Sequence, residues 1–416
     1  MADSECNNTD LFTLAHAAFR RLYQLETSTA CELAPMPGQS LPLLARRHRV
    51  MNLLHAGGAI PPDDSAWKRQ IYGGVVHATR MQEEAGQLWQ RLSPEIDDLL
   101  LIKGPGLAKQ AWPTMELREY DDLDLRCNRR DYPALCRGLE QAGYRPQHAD
   151  PRRNANLWHY GWGVTFFHPD GLMVEANHRL FPPSSPCPAK ASSAAHQVLP
   201  SQHASIGDEP IRIPTPAAHL LLACIHALWH GGERLAWIVD IAGLLVRHPD
   251  TAREAMQLAG RHRFALTALH TGIAIADALF GPGLIDGQEA LPGDLANANR
   301  IKAAQETYLN QLYRGTPAIF REQLAFQRTL LSLPKRVMNA ANVMMVPGDN
   351  DFQAWPLPRR LRPLYWLYRP LRGAIQRLSS KAASPAHASG SPWLRQRRPP
   401  RGQAARLPHP RARSRR

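Results

Sequence analysis

Two acidic residues within a strand-like run constrain the fold of this chain more than any other feature. In Asp122-Leu123-Asp124-Leu125, polar and apolar residues alternate, and alternate side chains of a strand point to the same face. Two carboxylates side by side repel each other, so a fold keeps them together mainly where a cation lies between them. The segment therefore predicts a strand with a cation site on its polar face.

A later strand-like segment supplies the third acidic candidate. Residues 163–168 and 172–177 flank a Pro-Asp-Gly turn, and this pattern predicts a hairpin. Glu175 lies in the second of these segments, where it is either a third oxygen ligand or a solvated acid on an exposed strand face. Carboxylate oxygens are the ligands that Mg²⁺ and Mn²⁺ use in phosphoryl chemistry.

A Lys-Gly pair between a strand and a helix is the candidate phosphate site. Lys103 and Gly104 follow the apolar run 99–102 and precede a short helical stretch at 106–112. A glycine lets the backbone approach a phosphate closely, and a helix N-terminus favours the negative charge. Lys103 either neutralises a triphosphate or is a surface lysine at the end of a strand.

Three further residues leave alternatives open. Arg118 either pairs with Asp121 or reaches phosphate. His226 and His230 are four residues apart, which places them on one helix face. No glutamate follows His226, so the metalloprotease helix motif is absent, and a pair of core or nucleotide-facing histidines is favoured over a metal site.

In their order along the chain, these motifs resemble those of a bacterial family of uncharacterised nucleotidyltransferases, within the polymerase-beta-type nucleotidyltransferase superfamily. The matching positions lie between roughly residues 40 and 250 and are Lys103-Gly104, Trp112-Pro113, Arg118, Asp122-Leu123-Asp124-Leu125, Gly143-Tyr144, Glu175, His178, Arg179-Leu180, His226, His230, Arg234-Leu235, Trp237 and Asp240. Several ordered motifs are far more specific than any one of them. The chain departs from the pattern at Asp121, where a small residue is expected, and in having Lys-Gly where better-known nucleotidyltransferases have Gly-Ser.

The resemblance implies an α+β fold, with a small mixed nucleotidyltransferase sheet, flanking helices, N-terminal helices and a C-terminal helical domain. The expected divisions are an N-terminal helical region (1–95) that packs onto the sheet, a nucleotidyltransferase catalytic domain (96–214), a C-terminal helical domain (215–350), a basic aromatic segment (351–378) and a disordered Arg-rich tail (379–416). Within them, local patterns predict an amphipathic helix at 41–55, a long helix at 66–95 and a long surface loop at 182–208.

The resemblance also implies an activity and its residues. A nucleoside triphosphate, with ATP expected as the donor, is the co-substrate, and an acceptor hydroxyl takes its nucleoside monophosphate as pyrophosphate leaves. Asp122, Asp124 and Glu175 are the expected catalytic residues and the ligands of Mg²⁺ or Mn²⁺. The expected nucleotide contacts are Lys103, Gly104, Arg118 and His178. No motif identifies the acceptor, which is a small molecule or a macromolecule.

Positive charge is concentrated at the C-terminus. The formal net charge is +14, but 16 of the 50 Lys and Arg residues follow Asp351, and all 36 acidic residues precede Phe352. Residues 1–351 therefore carry 34 basic and 36 acidic side chains. The high pI is a property of the C-terminal segment, and it does not indicate that the core binds nucleic acid.

The chain has the features of a cytoplasmic protein. Its N-terminus has neither the basic start nor the apolar core of a signal peptide, and its six cysteines are scattered without C-x-x-C pairs. No transmembrane segment is expected. The alternative functions are those of a catalytically vestigial protein that uses its Arg-rich C-terminus to bind nucleic acid without sequence preference or to contact an anionic membrane surface.

Overall fold

The D-x-D segment leads into the second strand of a five-stranded mixed sheet. The computed structural model describes residues 2–25, 40–59, 65–181, 199–260, 262–281, 284, 295–313 and 320–382. The strands of this sheet are β1 (Leu100–Leu101), β2 (Leu123–Arg126), β3 (Arg145–Pro146), β4 (Gly163–Phe167) and β5 (Met173–Asn177), in the order β1-β2-β5-β4-β3. Since β2 and β5 are parallel and the other neighbours antiparallel, the expected small mixed sheet is confirmed.

The register of β2 and β5 brings two of the predicted acids to neighbouring positions. Asp124 lies opposite Glu175 in the parallel pair. Leu123 and Val174, which precede the two acids, are fully buried in the core of the sheet. Because successive side chains of a strand point to opposite faces, Asp124 and Glu175 lie together on the other face.

A separate antiparallel hairpin follows the sheet. It consists of β6 (Ser201–Ile206) and β7 (Glu209–Pro214). β6 falls in the segment 182–208, which the sequence predicts to be a surface loop, so that prediction is wrong for its last part. Its sequence alternates too weakly to indicate a strand, and pairing with β7 orders it. Residues 182–198 lie outside the described residues.

Helices surround the sheet and form the rest of the described chain. The α-helices are α1 (Ala2–Leu22), α2 (Ser40–His48), α3 (Met51–Ala56), α4 (Ser65–Leu92), α5 (Pro105–Ala111), α6 (Tyr132–Gln141), α7 (Pro151–Tyr160), α8 (Pro216–His230), α9 (Ala236–Arg247), α10 (Thr251–Ala259), α11 (Arg263–Phe280), α12 (Leu295–Tyr313), α13 (Phe320–Thr329), α14 (Leu333–Met345), α15 (Asp349–Ala354) and α16 (Tyr365–Ala382). Short 3₁₀ helices lie at Met115–Leu117 and Arg359–Leu364.

Two large hydrophobic cores and two smaller clusters hold these elements together. One large core contains the sheet with α4 and α6. The other large core joins α1, α2 and α3 to the helices from α8 to α13. The expected packing of the N-terminal helices onto the sheet is therefore confirmed for α4, whereas α1 to α3 pack mainly with the helices that follow the sheet.

The helix that carries both candidate histidines has clear start and stop signals. The Thr215 side chain accepts a hydrogen bond from the Ala218 amide, and Pro216 occupies the first turn of α8. Both are favoured at a helix N-terminus. α8 ends at Gly231, whose φ of 62° is left-handed and suits glycine.

Two predicted helix boundaries differ from those of the structure. The amphipathic stretch 41–55 is broken between α2 and α3 at Arg49, whose φ of 58° is left-handed. Residues 379–382, which the sequence assigns to a disordered tail, belong to α16, which ends at Ala382. Residues 383–416 lie outside the described residues.

One described helix has the length and composition of a membrane span. α11 (Arg263–Phe280) has 18 residues, and 72% of it is buried inside the fold. It carries Arg263, His270 and Asp277, and it packs in the second core with α8 and α9. Its position is that of a core helix.

Candidate active site

The ammonium group of Lys103 contacts one carboxylate and feels the charge of two more. The Lys103 Nζ atom lies 3.0 Å from Asp124 Oδ1. Burial alone would lower the pKa of Lys103, but the carboxylates of Asp124, Glu175 and Asp122 together raise it above its usual value. The structure therefore brings together Lys103 and all three predicted acids, which come from the end of β1, the start of β2 and the middle of β5.

The three acids have the oxygen ligands that a hard cation prefers, but one of them, Asp124, is already paired with Lys103. Asp122, Asp124 and Glu175 offer only oxygen ligands, as Mg²⁺ and Mn²⁺ prefer. Among the described residues, no group of three or more His, Cys, Asp or Glu side chains is arranged to hold a metal ion. Asp124, whose side chain is 4% exposed, instead has Lys103 as its cationic partner. The chemistry of these residues therefore suits a divalent cation, whereas their arrangement in this structure is that of an ion pair with Lys103.

Gly104 is required by the backbone path between Lys103 and α5. Its φ of 57° and ψ of −127° belong to a region that L-amino acids rarely adopt. A Cβ atom at this position would also lie 3.2 Å from the carbonyl oxygen of Asp122. The Lys-Gly turn thus packs directly against the backbone of the first acidic residue.

The residues just before β2 are held by the N-terminal helices. Asp121 accepts a hydrogen bond from the guanidinium of Arg49. Glu119 Oε1 accepts a hydrogen bond from the Met51 amide at 2.9 Å, at the start of α3. Asp121, the acidic departure from the family pattern, is thereby neutralised by Arg49.

Arg118 joins the catalytic sheet to the helices that follow it. Its Nε and Nη2 atoms donate to the two carboxylate oxygens of Asp240 at 2.8 and 2.9 Å. Trp112 Nε1 donates to the same carboxylate at 2.6 Å. The proposed Arg118–Asp121 pair is therefore wrong. The predicted phosphate contact of Arg118 gains no support, because its guanidinium is buried against Asp240, and Asp240 acquires a structural role.

An aromatic wall adjoins Lys103. The rings of His226 and His230 lie 4.9 and 4.8 Å from that of Trp237, and 4.7 Å from each other. Lys103, His226 and Trp237 line one crevice. Burial, followed by the charge of Lys103, holds the pKa of His226 well below its usual value, so its imidazole is neutral. The flat, neutral groups offer a stacking surface beside the charged cluster.

A comparison with protein families agrees with this geometry. The family model of uncharacterised nucleotidyltransferases matches residues 39–281, which is more than half of the chain and includes the site from Lys103 to Asp240. The chain belongs to this family. It is a nucleotidyltransferase, and α12 to α16 lie beyond the matched region. Neither the curated proteins nor the solved structures contain a match to it.

His178 lies away from the charged cluster of the nucleotidyltransferase. It follows β5, and its ring contacts Tyr132 of α6 at 5.2 Å and Trp158 of α7 at 6.1 Å between centroids. These helices cover the face of the sheet opposite Glu175. The structure does not bring His178 together with Lys103 and the acids, so its predicted nucleotide contact gains no geometric support.

Sequence reasoning missed the N-terminal contribution to the nucleotidyltransferase site. Arg49 and Glu119 hold the chain before Asp122, yet Arg49 lies 72 positions before Asp121 and belongs to no local motif. The only available signal was indirect. An aspartate at position 121, where a small residue is expected, requires a cationic partner, and the sequence does not say which.

Proposed function

We propose that this protein transfers a nucleoside monophosphate from a nucleoside triphosphate, with ATP as the donor, to an acceptor hydroxyl group. The observation that carries the proposal is the Lys103–Asp124 ion pair next to Glu175, which lies opposite Asp124 in the β2–β5 register, with Asp122 two residues before Asp124. Three acids and one lysine at the strand ends of a nucleotidyltransferase sheet combine oxygen ligands for a divalent cation with a charge for phosphate.

The residues divide into two roles in this proposal. Asp122, Asp124 and Glu175 hold Mg²⁺ or Mn²⁺, which supplies charge neutralisation for the triphosphate when bound. When the nucleotide enters, the Lys103 ammonium group leaves the Asp124 carboxylate and pairs with a phosphate oxygen. The acceptor oxygen then bonds to the α-phosphorus, the bond from that phosphorus to the pyrophosphate oxygen breaks, and the hydroxyl proton is released.

The side chains that line the crevice beside the cluster are the proposed contacts for a flat ring of the donor or the acceptor, and the crevice has to widen for it, because its volume of about 20 Å³ has room for a single water molecule. His226 and Trp237 line the crevice together with Lys103. A neutral imidazole and an indole stack well on a nucleobase or on an aromatic acceptor, and they carry no charge that would repel the cation. The acceptor itself is a small molecule or a macromolecule with a hydroxyl group.

Calorimetry with Mg²⁺ and ATP tests the proposal. The double variant Asp122→Asn with Asp124→Asn should lose metal-dependent nucleotide binding. The matched control is Asp170→Asn, because Asp170 lies in the β4–β5 turn with its side chain 66% exposed. Transfer of label from α-³²P ATP to cell-extract components, with release of unlabelled pyrophosphate, tests the chemistry. Unchanged metal-nucleotide binding in the double variant would mean that the Lys103–Asp124 pair is purely structural.

A further inference from the structure

The C-terminal helices expose an unusual amount of apolar surface. In α14, Leu333, Val337 and Met338 are 56–72% exposed. In α16, Leu367, Leu371 and Ile375 are 61–67% exposed. The two helices are neighbours, and Arg369 of α16 donates to the Val343 carbonyl of α14. These six residues are called the apolar face below. Exposed apolar side chains gathered on two neighbouring helices mark an interaction site.

The orientation of α16 is the reverse of that expected for a helix on a water-exposed surface. Leu367, Leu371 and Ile375 recur every four residues and form one stripe, which such a helix would bury. Instead, Arg369 and Arg372 face inward. Arg372 Nη1 lies 2.5 Å and Arg369 Nε 3.4 Å from the carboxylate of Asp351, which is 1% exposed. The buried Asp351 therefore fixes the leucine stripe outward.

The segment that carries the apolar face is firmly attached to the catalytic sheet. Asp349 at the start of α15 accepts two hydrogen bonds from Arg153 of α7, at 2.7 and 2.6 Å. Arg362 donates to the buried Asn156 side chain at 2.7 Å, and its carbonyl accepts from Tyr160. The outward stripe thus has a defined position relative to the nucleotidyltransferase unit.

The charge around the apolar face selects its partner. From Phe352 to Ala382, which includes α16, the chain has seven basic residues and no acidic ones, and Arg359 and Arg360, which precede α16, are exposed. Trp355 and Trp366 are 43% and 42% exposed, and tryptophan prefers the boundary between water and lipid. A nucleic acid has no group that would bind the exposed leucines. A second copy of this chain would place its basic residues against those of the first.

We propose that the apolar face inserts into the surface of an anionic lipid bilayer, with the exposed Arg359 and Arg360 on the headgroup phosphates. Apolar burial and attraction of basic residues to anionic lipid act together in such binding. The bilayer then holds the nucleotidyltransferase at a membrane surface. This proposal does not depend on the chemistry proposed above.

Vesicle sedimentation with the full chain tests the proposal. Vesicles of phosphatidylcholine alone are compared with an equal mixture of phosphatidylcholine and phosphatidylglycerol. We expect binding to the mixed vesicles to be at least about tenfold tighter and to weaken as salt is raised. The combined variant Leu367→Ser, Leu371→Ser and Ile375→Ser should weaken it by about tenfold or more.

Leu258→Ser is the matched control, because Leu258 is an exposed leucine (41%) on α10, outside the apolar face. The single variant Leu371→Glu provides the same test if the combined variant is unstable in a thermal melt. No binding to mixed vesicles, or equal binding by the serine variant, would overturn the proposal. A dimer that the serine variant dissociates, or RNA binding that the variant weakens equally, would assign the face to a different partner.

Discussion

At the residue scale, Lys103 decides what the three acids can bind. Its ammonium group is the cationic partner of Asp124, and the three carboxylates raise its pKa despite the opposing effect of burial. In the proposed function, this positive charge becomes available to a triphosphate when a divalent cation replaces it on the acids. Nucleotide and metal should therefore bind cooperatively.

Replacing Lys103 by methionine should weaken nucleotide binding. The variant removes one charge-assisted contact, so we expect the Michaelis constant for the nucleotide to rise by about tenfold. It also leaves the acids without their monovalent partner, so Mg²⁺ should raise the melting temperature more than in the parent protein. Lys109→Met on the exposed side of α5 is the control. A lower melting temperature with an unchanged Michaelis constant would make Lys103 a structural residue only.

Gly104 and Gly171 together separate backbone strain from a local contact. Both have positive φ, 57° and 87°. A Cβ atom at Gly171 would meet no atom within 4 Å, whereas a Cβ atom at Gly104 would contact the Asp122 carbonyl oxygen. Each change to alanine should cost about 1 kcal/mol in urea unfolding. Only Gly104→Ala should also weaken metal-nucleotide binding, because it displaces Asp122. Equal binding in both variants would show that the contact with Asp122 has no functional consequence.

At the element scale, β2, β4 and β5 could be predicted from sequence because their alternating patterns are local. α7 and β6 could not, since neither has a clear apolar period, and tertiary contacts order them. The same distinction applies to the site. The acids and Lys103 lie in short motifs, whereas the Arg118–Asp240 pair joins residues 122 positions apart. A sequence contains the two charges but not which of several acids the arginine meets.

The attachment of α9 to the sheet should depend on Asp240. In Asp240→Ala, the buried guanidinium of Arg118 and the indole of Trp112 lose their acceptor. Removing one partner of a buried ion pair costs about 3–5 kcal/mol, which urea unfolding followed by tryptophan fluorescence can measure. Asp250→Ala is the control, because the Asp250 side chain is 72% exposed in its pair with Arg253. A cost similar to that of the control would mean that the pair does not hold α9.

At the scale of the whole molecule, buried neutral histidines make stability depend on pH. His48 Nδ1 accepts a hydrogen bond from the Leu235 amide. Burial, with smaller effects of Arg47 and Arg234, lowers the pKa of His48 from 6.5 to about 3. Below pH 6.5, His48 binds a proton in the unfolded chain but stays neutral in the folded chain. Stability is therefore complete above pH 6.5 and falls as the pH decreases toward 3.

Urea unfolding between pH 7 and 5 measures this effect. The His48 contribution to the loss at pH 5 should be on the order of 2 kcal/mol. His48→Gln should be less stable at pH 7 but should flatten the decline with acidity. His203→Gln, on the exposed part of β6, should leave the slope as it is. A parallel slope in the His48 variant would exclude His48 as a source of the pH dependence.

The distance along the chain between Arg118 and Asp240 also sets an order of events during synthesis. Bringing Arg118 and Asp240 together closes a loop of 122 residues, and contacts between residues close in sequence do not offset its entropy cost. The parallel strands β2 and β5 likewise meet only after the segment between them has been made. A growing chain therefore carries Lys103 and the three acids long before α9 reaches Arg118. The buried Arg118–Asp240 pair, and with it the attachment of α9, therefore forms only after the helices beyond the sheet have been translated.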